Sequence, residues 1–168
     1  IDHHKVLNRE TIRGLDNKSI VFIDHPNMEV GAEKIKNYHK NIDIALEEPN
    51  SKVNLFEVKM VEKIVQYLLQ QGYETSQIVV LTPYLGQMRK ISNAFSEGSL
   101  NILISDLDRA QLEKTDDDLN NEILSNNEEK GIRISTVDNF QGEESDIVIV
   151  SLVRSNRFGT IGFMKEPE

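Results

Sequence analysis

The sequence predicts an α/β domain with a mostly parallel, helix-covered sheet, and three observations carry that prediction. Short β-branched runs stand at 19–24 (SIVFID), 77–81 (QIVVL) and 147–152 (IVIVSL), the composition of strands buried on both faces. Stretches with apolar residues at helical spacing stand between them, the alternation that builds parallel sheets. The last run belongs to 131–156 (GIRISTVDNFQGEESDIVIVSLVRSN), where two strands flank a polar loop. Open α/β sheets usually bind ligands at the carboxyl ends of their strands, and the loop 138–146 carries too many functional groups to be a mere connector.

At 168 residues the chain makes one domain, with room for roughly five or six strands. Hydrophobic residues at 38% and charged residues at 28% are ordinary for a soluble globular protein. No apolar run approaches the roughly 18 residues that span a bilayer, and the first residues lack signal-peptide character, so a soluble intracellular protein is expected. The absence of cysteine excludes disulfides and thiolate metal sites. The net charge of −9 has the wrong sign for holding nucleic acid by bulk electrostatics. However, 106–130 holds nine acidic residues against three basic ones, and the rest of the chain carries only −3.

Residues 1–18 lack periodicity and read as an extended leading segment, the tail of something longer. His3 and His4 have no second cluster at ligand spacing and read as solvated or packing histidines. The strand at 19–24 is stopped by His25-Pro26-Asn27, because proline withdraws a ladder donor and restricts the residue before it. Mixed composition over 28–51 predicts a surface insertion. The spacing of Val58, Val61, Val65, Leu68 and Leu69 then predicts a helix over 55–71. Asn54 and Glu57 stand at capping-box spacing, and Gly72 suits a left-handed C-terminal cap. The strand 77–81 runs through Thr82-Pro83-Tyr84 into a helix marked by Leu85, Met88, Ile91 and Phe95. Residues 100–105 suit a further strand, and 106–130 reads as an exposed, partly helical insertion. Asp106 and Asp108 lack the glycine-bearing pattern of a calcium loop and are not read as metal ligands. Residues 158–164 form a turn leading into an apolar anchor. The order of elements across 19–168 matches a RecA-like domain.

Two groups of residues could carry chemistry. Thr136, Asp138, Gln141, Gly142, Glu144 and Asp146 crowd one strand end and its loop. Gly142 permits close backbone approach or positive φ, Gln141 both donates and accepts, and Glu144 can accept from sugar hydroxyls. A polar turn with Asp146 capping a strand explains the same residues, and spacing does not choose between the two. Thr82, Tyr84 and Gln87, followed by Arg89 and Lys90, could hold a phosphodiester backbone or stack a base; a Thr-Pro turn with Tyr84 in the core accounts for them equally. No GxxxxGKS/T phosphate loop and no Ser-His-Asp arrangement is present, so the chain cannot hydrolyse a nucleotide unaided.

At these residues the chain resembles a known family. ISTVDNFQGEESDIVIVSLVRSN is similar to motif V and its extension in up-frameshift-type superfamily 1 helicases, and LTPYLGQ resembles their motif IV region. The order of SIVFIDHP, VNLFEVKMVEKIVQYLL, QIVVLTPYLGQ, ISTVDNFQGEESD and GTIGFMKEPE follows that family's second RecA-like domain. VLNRETIRGL and SLVRSN resemble its zinc-finger, RNA-interference and heterochromatin branch. The resemblance implies an ATP-driven 5′-to-3′ RNA translocase and helicase, at work in RNA silencing or surveillance, nuclear or cytoplasmic with the nucleus favoured. Implied partners are single-stranded RNA or DNA, the first RecA domain and RNA-silencing proteins; implied cofactors are ATP and Mg2+, both held mainly by the first domain. By position, Gln141, Gly142 and Glu144 would face the nucleotide. Thr82, Pro83, Tyr84, Gln87, Thr136 and Val137 would line the nucleic-acid track, and Asp138 and Arg154 would couple the two sites. The first RecA domain and the arginine finger expected after Glu168 lie outside the chain, so it is expected to be inactive alone. A non-catalytic scaffold that binds protein partners through the acidic segment, and a DNA-directed relative, are the alternatives.

Overall fold

The computed structural model describes residues 11–16, 18–32, 52–113 and 131–162. The expectations for His3 and His4, for most of the 28–51 insertion, and for 114–130 and 163–168 lie outside these described residues. Four strands, β1 (Ile78–Thr82), β2 (Ile102–Ile104), β3 (Ile132–Thr136) and β4 (Ile147–Val150), form one sheet. Their order is β2-β3-β1-β4, and every pairing is parallel. The helices are α1 (Leu55–Gln70), α2 (Leu85–Glu97) and α3 (Asp106–Glu113). This is the expected RecA-like α/β architecture.

Helix α1 begins where its sequence says it should. Asn54 is extended at φ −123° and its side chain accepts from the Phe56 and Glu57 amides, a cap for orphan donors of the first turn. At the other end Gly72 takes φ +89°, the left-handed geometry that stops a helix. Val58, Val61, Val65 and Leu68 of α1 meet Met88, Ile91 and Phe95 of α2 over Ile78 and Val80 of β1 and Ile132 and Ile134 of β3. Alternation along a strand sends the neighbouring residues Val79, Arg133 and Val148 to the second face.

The connections run in opposite directions. From β1 the chain passes through α2 over β3 to β2; from β3 it passes over β1 to β4. Right-handed crossovers in opposite directions must use opposite faces of the sheet. The loop 137–146 therefore crosses the face that α1 and α2 leave open.

Two expectations change and a third is refined. Residues 19–24 form no strand: the segment is extended, with Ile20 86% and Phe22 78% exposed. The run after the loop is not buried on both faces, since β4 is an edge strand among the described residues and Val148, Val150 and Leu152 are about half exposed. Its outer edge opens on a groove of about 700 Å³, which Ile20, Val21, Phe22, Ile64 and Tyr67 also line. Of the acidic segment 106–130, residues 106–113 are helical and mostly exposed, as expected, but Asp108 and Leu112 are buried. Of the apolar turn near the end, Phe158 and Ile161 are exposed. Replacing Ile134, fully buried in the central core, by alanine is expected to cost about 2–5 kcal/mol. Val148→Ala on the open face should cost under about 1 kcal/mol. Urea-unfolding midpoints measure both.

Candidate functional site

The reversal of direction creates a crevice. β1 and β3 end side by side with Thr82 in register with Thr136, and the Val137 amide donates to the Thr82 carbonyl at 3.2 Å. From that point the chain leaves to opposite faces, which is the switch-point geometry at which open α/β sheets bind ligands. β4 leaves at the same edge, where the Ser151 amide donates to the Leu81 carbonyl at 2.9 Å. Helix α2 starts here as well, and the Tyr84 side chain does not cap its first turn. Helix starts concentrate unpaired amides and the positive end of the macrodipole.

The side chains expected to line this edge are mostly turned inward. Thr82 is 0%, Tyr84 4% and Thr136 5% exposed; Pro83 is half-buried, and Val137 and Asp138 are exposed. Gln87 is corrected most clearly. It is fully buried, its Oε1 accepts from the Asn54 amide at 2.8 Å, and its Nε2 donates to the Asn54 carbonyl at 3.2 Å and to Ser151 Oγ at 2.9 Å. Both ends of the amide are consumed, so it braces α1, α2 and the exit of β4. Glu57 changes role for the same reason. Gln87 already holds the Asn54 amide, so Glu57 turns to β4 and accepts from Ser151 Oγ at 2.6 Å and the Val153 amide at 3.0 Å. Val153 is a buried β-branched residue at φ +69°, a conformation that costs about 1–3 kcal/mol. Glu57 holds its amide and Asn54 its carbonyl.

The strained turn delivers Arg154 into the fold. Its Nε lies 2.7 Å from Glu29 Oε2 and its Nη2 donates to Thr160 Oγ1 at 3.2 Å. Burial works against the guanidinium charge, but the Tyr84 hydroxyl and the Glu29 carboxylate outweigh it and raise the pKa. Arg154 thus ties β4's exit to residue 29 and to Tyr84.

The loop 137–146 departs from expectation too, because it does not stay at the carboxyl edge. A short 3-10 turn at Asp138–Phe140 starts the crossing. The Arg133 guanidinium, on the second face, pairs with Glu143 in two places, one of them Nη2 to Oε1 at 2.7 Å. It also stands 5.1 Å from the centre of the Phe140 ring. The loop ends at the amino edge, where Gln77 Nε2 donates to Asp146 Oδ2 at 3.1 Å and Ser145 Oγ to the Gln77 carbonyl at 3.0 Å. Gln141, Gly142 and Glu144 remain exposed along this path. Gly142 has φ +84° with open space where a Cβ would stand, so conformation and not crowding calls for glycine. The loop is thus a pinned strap with an exposed glutamine-glycine-acid turn, separate from the crevice where Thr82 and Thr136 end.

Asp108 is the main residue of the site that the sequence reading passed over. It is 0% exposed, and its carboxylate accepts from Ser135 Oγ at 2.6 Å, Thr136 Oγ1 at 2.7 Å, Asn139 Nδ2 at 2.8 Å and Ser105 Oγ at 2.9 Å. The Thr136 amide adds a contact at 3.3 Å. Burial pushes the carboxyl pKa up, but the bonds from Ser135, Thr136, Asn139 and Ser105 outweigh it and hold it below the usual value. A signal did exist: Ser105-x-x-Asp108 has capping-box spacing, and the Asp108 amide donates to Ser105 Oγ at 3.1 Å. Among the described residues no group of three or more His, Asp or Glu side chains could hold a metal ion, and no helix is long and apolar enough to cross a membrane.

Two measurements probe these networks. Gln87→Met keeps the volume but strands the buried Asn54 amide, while the Asn54 carbonyl keeps the Val58 amide, so it should cost about 1–3 kcal/mol in denaturant titration. Asp108 has a depressed folded pKa, so its contribution is complete above the unfolded value of about 3.9 and fades as pH falls through the lower folded value. Asp108→Asn should accordingly flatten the loss of stability below about pH 4 in acid titrations followed by circular dichroism.

A family model described as AAA domain matches residues 2–168. NFX1-type zinc finger-containing protein 1 of Mus musculus is 29% identical over 168 residues, which is 99% of this chain and 6% of the relative. Helicase required for RNAi-mediated heterochromatin assembly 1 of Schizosaccharomyces pombe is 33% identical over 117 residues, 70% of this chain and 9% of the relative. Regulator of nonsense transcripts 1 homolog of Arabidopsis thaliana is 38% identical over 118 residues, 70% of this chain and 8% of the relative. The chain spans less than a tenth of the length of each of these relatives. A parallel α/β sheet with a switch-point crevice, matched from end to end by one family model, places this chain in the AAA-domain family of up-frameshift-type superfamily 1 helicases.

Proposed function

We propose that this chain is the second motor domain of an ATP-dependent RNA helicase that moves 5′ to 3′ along a single strand. The observation that carries the reading is the opposite departure of the chain from the paired ends of β1 and β3. One domain thereby presents two separate surfaces, a strand-end crevice and a strap across the open face. In this reading the polynucleotide lies over Pro83 and Val137. The start of α2, beside Thr82, Tyr84 and Thr136, offers amides to phosphates, a mode that holds the strand without reading its sequence.

The strap supplies one wall of a nucleotide cleft whose other wall is the first RecA domain, which holds most of ATP and Mg2+. ATP supplies the transferable phosphoryl group; what this chain contributes is placement. Gln141 can donate and accept, Gly142 lets the backbone approach, and Glu144 accepts from ribose hydroxyls. Arg133 and Glu143 keep the turn presented. Asp138, at the head of the strap, and Arg154, bracketing Tyr84 and the exit of β4, are the coupling residues between crevice and cleft. RNA silencing or RNA surveillance is the setting, by likeness to the named relatives.

The test uses the intact protein. Val137→Asp places a negative charge in the strand's seat and should weaken binding of a labelled single-stranded RNA about tenfold, which is roughly 1.4 kcal/mol. Glu144→Gln should raise the KM for ATP or lower kcat while leaving RNA affinity within about twofold of wild type. Wild-type behaviour of both variants, in anisotropy and in RNA-stimulated ATPase assays, would refute the reading.

A further inference from the structure

Buried carboxylates are usually neutralised by one cation or satisfied by two or three donors. Asp108 meets no cation among the contacts described. Its partners are three hydroxyls, a side-chain amide and a backbone amide. Their origin is uneven: only Ser105 belongs to the start of α3, and the rest come from 135–139, the end of β3 and the head of the strap. Asp108 sits on α3, which has no share in the sheet, so the arrangement clamps a strand end from outside.

We propose that Asp108 is a positioning residue for the nucleic-acid-facing segment 136–139, an internal anion around which that segment takes its shape. The proposal rests on the strand-end reading above. The chemistry explains why a carboxylate stands here. It accepts several bonds without donating any, so each hydroxyl must aim its proton inward. With the Thr136 hydroxyl proton committed to Asp108 Oδ1 at 2.7 Å, that hydroxyl cannot also donate to a phosphate oxygen. The Thr136 amide is held by Asp108 and the Val137 amide by the Thr82 carbonyl, so contacts from this segment to a phosphodiester fall to the backbone amides of Asp138 and Asn139, whose direction depends on the 136–139 backbone that Asp108 and Asn139 hold. A neutral amide at 108 cannot reproduce this. One of its two heteroatoms would point N–H groups at hydroxyls or at the Thr136 amide, so either the hydroxyl protons or the segment would have to turn.

The test compares Asp108→Asn, Asn139→Ala and Ser105→Ala in the intact protein. The readouts are anisotropy of a labelled single-stranded RNA and the separate KM values for RNA and ATP in RNA-stimulated ATPase assays. Asp108→Asn is expected to raise the dissociation constant and KM for RNA about tenfold with the KM for ATP within twofold, a split that general loosening of the fold would not produce. Asn139→Ala, which removes one donor from the segment side, should give the same split at several-fold size. Ser105→Ala, which removes a donor from the helix side, should lower thermal stability and leave RNA affinity within twofold. If Asp108→Asn does not fold, Asn139→Ala decides. Folded Asp108→Asn or Asn139→Ala protein with wild-type RNA affinity, or an equal loss in Ser105→Ala, overturns the positioning role alone. A wild-type protein that binds no single-stranded RNA or DNA overturns it together with the strand-end reading.

Discussion

Parallel strands are joined by right-handed crossovers with few exceptions, and that constraint organises this domain. β1 must reach β2 on one side and β3 must reach β4 on the other, so one connection covers the first face and the second connection covers the opposite one. The first is long enough to be a helix and brings Met88, Ile91 and Phe95 into the core. The second has only the residues 137–146 and becomes a strap. The crevice between Thr82 and Thr136 and the exposed turn at Gln141–Gly142 are consequences of the same topological fact, which is why a single small domain presents two surfaces.

The edge so created is held by buried polar groups, which fold stably only when every donor and acceptor is paired. Gln87 and Glu57 link α1, α2 and the chain leaving β4 through Asn54, Ser151 and Val153. Asp108 links α3 to the end of β3. Each network joins elements that are distant in sequence and carries directional bonds where an apolar core would carry none. The left-handed Val153 fits this account, because a strained β-branched residue persists only where its surroundings over-determine it. The turn at that position places Arg154 against Glu29 and Tyr84, so the exit of β4 is tied to the start of α2.

The sequence predicts most of the architecture because local signals decide it. Val58, Val61, Val65 and Leu68 are spaced for one helix face, Asn54 and Gly72 mark its ends, and the run at 78–82 is β-branched except at Leu81. Where prediction departs from structure, the deciding physics is not local. The composition of 19–24 and 147–152 reports what a segment is able to bury, but whether a neighbour covers it is settled by tertiary pairing. Gln87 and Glu57 look like surface or capping groups from their spacing. Their true roles depend on Ser151, which lies 64 residues from Gln87 and 94 from Glu57. The path of the strap follows from strand order, which no residue in the loop encodes.

Charge completes the argument. A chain of net charge −9 would seem a poor partner for a polyanion, since counterion release by lysine and arginine drives most non-specific binding. The acidity is concentrated at 106–130, and one of those carboxylates, Asp108, is turned inward and saturated with donors. At the crevice itself the partial positive charge comes from the amides that begin α2. Fixed dipoles of this kind hold a phosphate by geometry and carry no mobile charge of their own. Under the proposed function, a strand seated there is released by a small movement of the amides, with no mobile charge to unpair.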